Sequence, residues 1–299
     1  CIRDSRDGLR LRAASLLIGD DRFDDARTVL GTVEAPDDPQ AIEVRAVLEL
    51  RAGNDKAARR AIRELREAGG TSIAVADMLE GEALVRSGRD AKARESFERS
   101  AEVLGSQVLA RGAELFRELD RPEHGEKMLR EWVEREPDSA RARFRLGAFL
   151  ERTSSFELAA RELRRASELD PEDAEILNYL GYSLADRDIE LDEAQRLIER
   201  ALAIDPWNAA YLDSLGWVHF RLGRPAEARV PLERAAREYP RDPTILDHLG
   251  DVYAALDQPS RALDAWQRAR DLAEDEDARR IADKISAWAD RAELESVED

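Results

Sequence analysis

The stretch that decides the fold is residues 209–240, which read AAYLDSLGWVHFRLGRPAEARVPLERAAREYP. It places small residues at Gly216, Ala228 and Ala235 and ends on Pro240. Glycines recur at Gly147, Gly181, Gly216 and Gly250, spaced 34, 35 and 34 residues apart, and prolines recur with the same spacings at Pro137, Pro171, Pro206 and Pro240. Two residue types that share one period indicate a repeated structural unit.

Each unit carries the same order of small and large residues. In the stretch quoted above, Leu215-Gly216 is followed by Ala228, Leu232 and Ala235. This order resembles the tetratricopeptide repeat, a helix-turn-helix of about 34 residues. Small residues let helices A and B of one unit approach closely, and the proline stops helix B. The resemblance implies an all-α, right-handed α-solenoid of about eight units with a C-terminal capping helix.

The quality of the repeat gives the predicted domain organisation. Residues 140–275 hold four well-matched units, and residues 7–139 hold about four degenerate ones. Residues 1–6 are interpreted as an N-terminal tether, and residues 276–299 as a capping helix with an acidic tail. In the predicted capping helix, Ile281, Ile285 and Trp288 recur with helical period, which is typical of a helix that packs on one side only.

Several single residues test this interpretation. Trp207 follows a junction proline and Trp266 holds the large interior position of its unit, so both are expected in the core. Gly125 lies in mid-helix, where glycine costs about 1 kcal/mol relative to alanine, and predicts a locally weak unit. Gly69-Gly70 is the candidate hinge, and Pro231 is expected to bend helix B of its unit or to expose a carbonyl.

Composition excludes several classes of function. The 299 residues include 47 basic and 65 acidic side chains, a formal net charge of −18 that argues against nucleic acid as a partner. No stretch approaches the length of a membrane-spanning helix, and no nucleophile elbow or phosphate-binding loop is present. We therefore expect no enzymatic activity, no cofactor and no small-molecule substrate.

The histidines do not indicate a metal site. His248 stands between Asp247 and Asp251, which share a helix face because they are four residues apart, whereas His248 points about 100° away. A hydrogen-bonded or solvated histidine is the favoured interpretation here and at His124 and His219. No metal is expected.

The resemblance also implies where a partner binds. In the family, helix A supplies the concave groove through the second, fifth, ninth and twelfth positions of each unit. Among the residues that occupy these positions here, the candidate groove residues are Phe144, Asn178, Tyr182, Asp213, Trp217, Phe220, Asp247 and Asp251. The open alternative for the aromatic members is packing between adjacent A helices. The acidic members favour a basic or neutral segment of a protein or extended peptide. The carboxylate clamp of chaperone-binding members is absent, because only Asn178 fits it.

The one cysteine of the sequence is Cys1. Its position resembles the start of a mature bacterial lipoprotein, whose first cysteine carries the acyl chains. That resemblance implies an anchor on the periplasmic side of the outer membrane, since Ile2 replaces the aspartate that retains lipoproteins at the inner membrane. The alternative is an unrelated cysteine at an arbitrary chain boundary.

These observations predict a non-catalytic, lipid-anchored scaffold or adaptor that holds a partner in the groove. Lipoproteins with these repeats include protease adaptors, pilotins and envelope-assembly factors. The alternative is a soluble cytosolic interaction module without a membrane anchor.

Overall fold

Seventeen α-helices make up residues 6–295, the part of the chain that the computed structural model describes, and this part contains no strand. Side chains are described as far as Trp288. The helices are α1 (Arg6–Gly19), α2 (Phe23–Leu30), α3 (Pro39–Arg51), α4 (Asp55–Glu67), α5 (Ser72–Arg86), α6 (Asp90–Leu104), α7 (Gln107–Glu118), α8 (Pro122–Arg135), α9 (Ala140–Thr153), α10 (Phe156–Leu169), α11 (Ala174–Asp186), α12 (Leu191–Ile204), α13 (Ala209–Arg221), α14 (Pro225–Glu238), α15 (Pro243–Ala255), α16 (Pro259–Leu272) and α17 (Asp275–Glu295).

The first sixteen helices form eight consecutive helix-turn-helix pairs, as the repeat predicts. The tight A–B turns need a residue in the left-handed region, which Gly223 (φ 72°) and Asp257 (φ 56°) supply. The spacing from Gly181 to Gly216 is 35 residues, one more than the other two spacings. The extra residue lies in the turn between α11 and α12. Asp188 and Glu190 both adopt positive φ in that turn.

Small residues lie where helices A and B of a unit cross. A Cβ atom added at Gly181 would lie 2.7 Å from Cγ1 of Ile198, so the helices pack in contact through the glycine. Gly125 has the same role, because its added Cβ would lie 2.6 Å from the carbonyl oxygen of Ala113. The glycine is therefore required by a close helix crossing, and the weakness of this unit remains a prediction.

The chain divides into two compact units, unit 1 (Cys1–Glu162) and unit 2 (Leu163–Asp299), with the division inside α10. One core of unit 1 includes Leu65 and Ala76, which lie on either side of Gly69-Gly70. The division into compact units thus does not fall at Gly69-Gly70, and a hinge at that position remains a prediction.

Three further residues have a clear outcome. Trp266 is 4% exposed and its place in the core is confirmed. Trp207 is 75% exposed, so the prediction that it is buried was wrong. It lies in the loop before α13, and the guanidinium of Arg234 stands 5.2 Å from the centre of its ring. Helix α14 continues through Pro231, which is buried.

Helix α17 covers the end of unit 2. Ile281 is buried, and Ile285 and Trp288 pack on the same core as Trp266. The indole rings of Trp266 and Trp288 meet edge to face with centres 5.8 Å apart. The predicted all-α fold of stacked helix-turn-helix repeats with a C-terminal capping helix is confirmed.

Candidate functional site

The A helices of unit 2, α11, α13 and α15, border an open cavity of about 440 Å³, named here the groove cavity. Its lining residues are Asn178, Tyr179, Tyr182, Asn208, Ala210, Asp213, Ser214, Tyr239, Asp242, Thr244 and Ile245. Three of the predicted groove residues, Asn178, Tyr182 and Asp213, are thus brought together in one place.

Helix N-caps hold the rim of the groove cavity in place. The Oδ1 atom of Asn208 accepts hydrogen bonds from the backbone N–H groups of Ala210 and Tyr211, at 3.1 and 3.4 Å. The Oδ1 atom of Asp242 does the same at the start of α15, at 2.9 Å from the N–H of Thr244. Asparagine and aspartate are preferred at this position because they satisfy N–H groups that lack a helical partner.

Asp213 connects the groove cavity to a buried cluster. Its carboxylate is hydrogen-bonded to Nδ1 of His248 at 2.9 Å, and both residues are 6% exposed. The His248 ring stacks on the indole of Trp217, with ring centres 4.0 Å apart. Burial alone would lower the pKa of His248, but the Asp213 carboxylate outweighs it and raises that pKa above its ordinary value. The prediction that His248 is a hydrogen-bonded histidine is therefore confirmed.

The predicted aromatic groove residues differ in their burial. Trp217 is 8% exposed, and its indole N–H donates to Oδ1 of Asp186 at 3.3 Å. Phe220 is half-buried and stacks on Trp217 at 5.3 Å. Phe144, in unit 1, is 4% exposed. Burial of Trp217 and Phe144 favours packing between helices as the role of both.

Asp247 and Asp251 face helix α17 instead of open solvent. Asp247 is 3% exposed and pairs with Arg280 at 2.7 Å and with Lys284 at 2.8 Å. Lys284 also reaches Asp251 at 2.8 Å, and the indole N–H of Trp266 donates to Asp251 at 3.1 Å. The capping helix thus supplies counter-charges to two carboxylates that were predicted to favour a basic or neutral partner segment.

The predicted groove residues did not include Tyr179, Tyr239 and Asp242, which also line the groove cavity. Tyr179 lies one position beyond Asn178, and Tyr239 and Asp242 belong to the junction before α15. The transferred groove positions cover helix A alone and so omit the junction residues Tyr239 and Asp242, whereas Tyr179 lies on helix A outside the transferred positions. The acidic start of α15 was a usable signal, because such residues cap helices.

Unit 1 has a groove of different chemistry. A cavity of about 560 Å³ is lined mostly by charged residues of α3, α5 and α7. Arg111 donates to Glu82 at 2.6 Å in this groove, and Arg51 and Arg86 lie along it. Its lining contains both acidic and basic side chains, and some of them are paired with each other. The charge of this groove therefore favours neither a cationic nor an anionic partner.

No group of three or more histidine, cysteine, aspartate or glutamate side chains among the described residues is placed to hold a metal ion. Within the same range, no helix has the length and apolar character needed to cross a membrane.

Comparison with known proteins agrees with the repeat architecture. A family model for the tetratricopeptide repeat matches residues 111–174 and 190–243. A TPR repeat-containing protein of Pseudomonas aeruginosa is 27% identical over 173 residues, which cover 56% of this chain and 29% of that protein. The chain therefore spans less than a third of the length of this relative.

Two solved structures share the fold. A tetratricopeptide repeat protein from Parabacteroides merdae aligns with a TM-score of 0.57 and 14% identity, over 84% of this chain and 98% of that one. PilW, a type IV pilus biogenesis factor, aligns with a TM-score of 0.55 and 18% identity, over 63% and 87% of the two chains. Tetratricopeptide repeats are therefore shown by sequence in residues 111–174 and 190–243, and the two solved structures share the helical repeat fold.

Proposed function

We propose that this protein is a non-catalytic scaffold that holds a partner protein or an extended peptide in the groove cavity. The observation that carries the proposal is the meeting of Asn178, Tyr182 and Asp213 in one open cavity on the helix A face. Aromatic side chains with a few polar groups are typical of protein-binding sites, because they combine apolar contact area with hydrogen bonds that fix orientation.

A site-specific photo-crosslinker tests this proposal. Tyr239 is 61% exposed and lines the groove cavity, so a benzoylphenylalanine there would contact a bound partner without disturbing the core. The matched control is the same group at Asp264, whose side chain is 69% exposed on α16. In cells, discrete crosslinked species are expected from position 239 and not from position 264. Equal crosslinking at both positions, or none at position 239, would contradict the proposal.

The membrane anchor is a separate part of the proposal. Cys1 lies outside the described residues, and its lipidation remains a prediction from the sequence. Acyl chains on Cys1 would anchor the scaffold on the periplasmic side of a bacterial outer membrane, since more than one chain gives stable attachment. Intact-mass spectrometry of the native protein tests it: acyl mass on Cys1 supports the anchor, and its absence favours the soluble cytosolic module.

The candidate roles for the scaffold are protease adaptor, pilotin and envelope-assembly factor. PilW, which shares the fold, is a type IV pilus biogenesis factor. The identity between the two chains is 18%, and the likeness therefore supports the fold and not a shared partner. The crosslinked partner, identified by peptide mass spectrometry, would separate these roles.

A further inference from the structure

The groove cavity is rich in negative charge and aromatic rings. Among its lining residues there are two carboxylates, Asp213 and Asp242, and three tyrosines, Tyr179, Tyr182 and Tyr239. None of the residues that line it is a lysine, arginine or histidine. A cationic side chain is attracted both by carboxylates and by the faces of aromatic rings.

The groove cavity also has an unused hydrogen-bond acceptor. The Oδ1 atom of Asn178 is buried and has no hydrogen-bond partner among the described residues. A buried polar atom without a partner is uncommon because its desolvation is not compensated. An N–H donor supplied by a ligand would satisfy Asn178, and lysine and arginine carry only donors in their charged groups.

Acidic residues near the groove cavity, but outside its lining, also favour a cation there. Tyr211 follows Ala210 of the lining and is half-buried. Burial raises the pKa of Tyr211, and the charges of Glu175, Asp205 and Asp173 raise it further. These carboxylates therefore place a negative potential at the rim near the start of α13.

We propose that the groove cavity binds the cationic side chain of a lysine or arginine in a partner segment. This inference rests on the proposed protein-binding function and names the chemistry that the site selects. Asp213 and Asp242 compensate the charge, the three tyrosines surround the apolar stem, and Asn178 accepts a hydrogen bond.

The His248 side chain provides an internal reporter of this binding. A cation next to Asp213 competes with the proton that Asp213 holds on His248, and it therefore lowers the pKa of His248. The groups that face His248 are Tyr182 on α11, Asp213 and Trp217 on α13, Asp247 and Asp251 on its own helix, and, through those two carboxylates, Arg280 and Lys284 on α17.

Two pairs of matched small probes test the proposal on the full chain. N-acetyl-arginine methylamide is compared with its neutral isostere N-acetyl-citrulline methylamide, and the lysine derivative with the norleucine derivative. Binding is followed by NMR chemical shifts. The cationic probes are expected to bind about tenfold or more tightly than the neutral ones. Shifts should map to Asn178, Tyr182 and Asp213, and the arginine probe should lower the pKa of His248.

The variant Asp213→Asn/Asp242→Asn removes two charges while keeping the shapes and the N-cap, since asparagine caps a helix as well as aspartate does. The control Asp264→Asn/Asp271→Asn makes the same change of net charge at exposed positions of α16. The first variant is expected to lose the preference for cationic probes, and the control to keep it. Circular dichroism spectra and melting curves check that both variants fold.

Equal binding of cationic and neutral probes, no binding of either, or shifts that map outside the groove cavity would overturn the inference. So would an unchanged cation preference in the Asp213→Asn/Asp242→Asn variant. The crosslinking experiment at Tyr239 separates this failure from failure of the scaffold function. If position 239 crosslinks to a partner but the cationic probes bind no more tightly than the neutral ones, the scaffold function is retained and the proposed cation binding is rejected.

Discussion

Replacing Trp217 by alanine is expected to destabilise unit 2, although the residue occupies a groove position of its repeat. The indole is 8% exposed and stacks between His248, at 4.0 Å, and Phe220, at 5.3 Å. Its N–H donates to Asp186. The side chain is therefore part of the packing between α13 and α15.

The expected loss follows from this burial. Truncation of a buried tryptophan to alanine costs about 3–5 kcal/mol in transfer and cavity terms. Because stacking on His248 and Phe220 adds to the burial, we expect a value near the middle or upper part of that range, about 4–5 kcal/mol. Trp207 is a matched control in the same unit: it is 75% exposed, and its loss is expected to cost about 0.5–1 kcal/mol through the contact with Arg234.

Urea unfolding followed by circular dichroism measures both variants. Trp217→Ala should shift the transition of unit 2 strongly to lower urea, and Trp207→Ala should leave it nearly unchanged. A loss below about 1 kcal/mol for Trp217→Ala, or equal losses for the two variants, would refute the assignment of Trp217 to packing. Hydrogen exchange on α13 and α15 would localise the effect in a chain of two compact units, where a single two-state transition is not assured.

Three further outcomes are expected. Gly216→Ala should lower the free energy of unfolding by about 2 kcal/mol in urea titrations, because its Cβ would lie 2.9 Å from Cδ1 of Leu232. Asp213 raises the pKa of His248, so protonated His248 stabilises the fold fully below the unfolded pKa of 6.5, and this stabilisation is lost as pH rises through the raised pKa. The free energy of unfolding should therefore be smaller at about pH 9 than at about pH 6. The variant His248→Gln should lack this difference. Lys284→Met should lower the melting temperature by an amount equivalent to about 3 kcal/mol, since it removes a cation shared by two carboxylates of α15.

The fold could be predicted from the sequence because its determinants are local and periodic. Glycines such as Gly181 and Gly250 mark helix crossings, and prolines such as Pro240 mark helix ends, at fixed intervals. Trp207 shows the limit of this reasoning. An aromatic residue at a repeat junction has no fixed direction, and only the structure shows that its ring lies outside the core under Arg234.

The site was predictable in part. Helix A positions correctly place Asn178, Tyr182 and Asp213 on one surface, because equivalent positions of stacked helices align. The positions could not show that Tyr239 and Asp242 complete that surface. Both belong to a loop, whose course depends on how successive units pack and not on the period of the helices.

The carboxylates at groove positions are paired with residues of the following unit or of the capping helix, which the residue pattern within one unit cannot predict. Asp213 and His248 are 35 residues apart, and Asp247 and Lys284 are 37 residues apart, which is about one repeat in each case. Asp213 therefore contacts the next A helix, α15, and Asp247 contacts the capping helix, α17. A carboxylate held in this way is compensated within the chain, and it contributes less to a partner than its position implies.

Asp213 is the exception that keeps a second role. Its counter-charge is a histidine, whose ordinary pKa lies well below those of lysine and arginine and is raised here by the Asp213 carboxylate. Asp213 also lines the groove cavity, while Asp247 and Asp251 do not. The strength with which unit 2 attracts a cation should therefore increase as His248 is deprotonated. The same carboxylate can stabilise the stack at low pH and receive a partner at high pH, because one proton separates the two states.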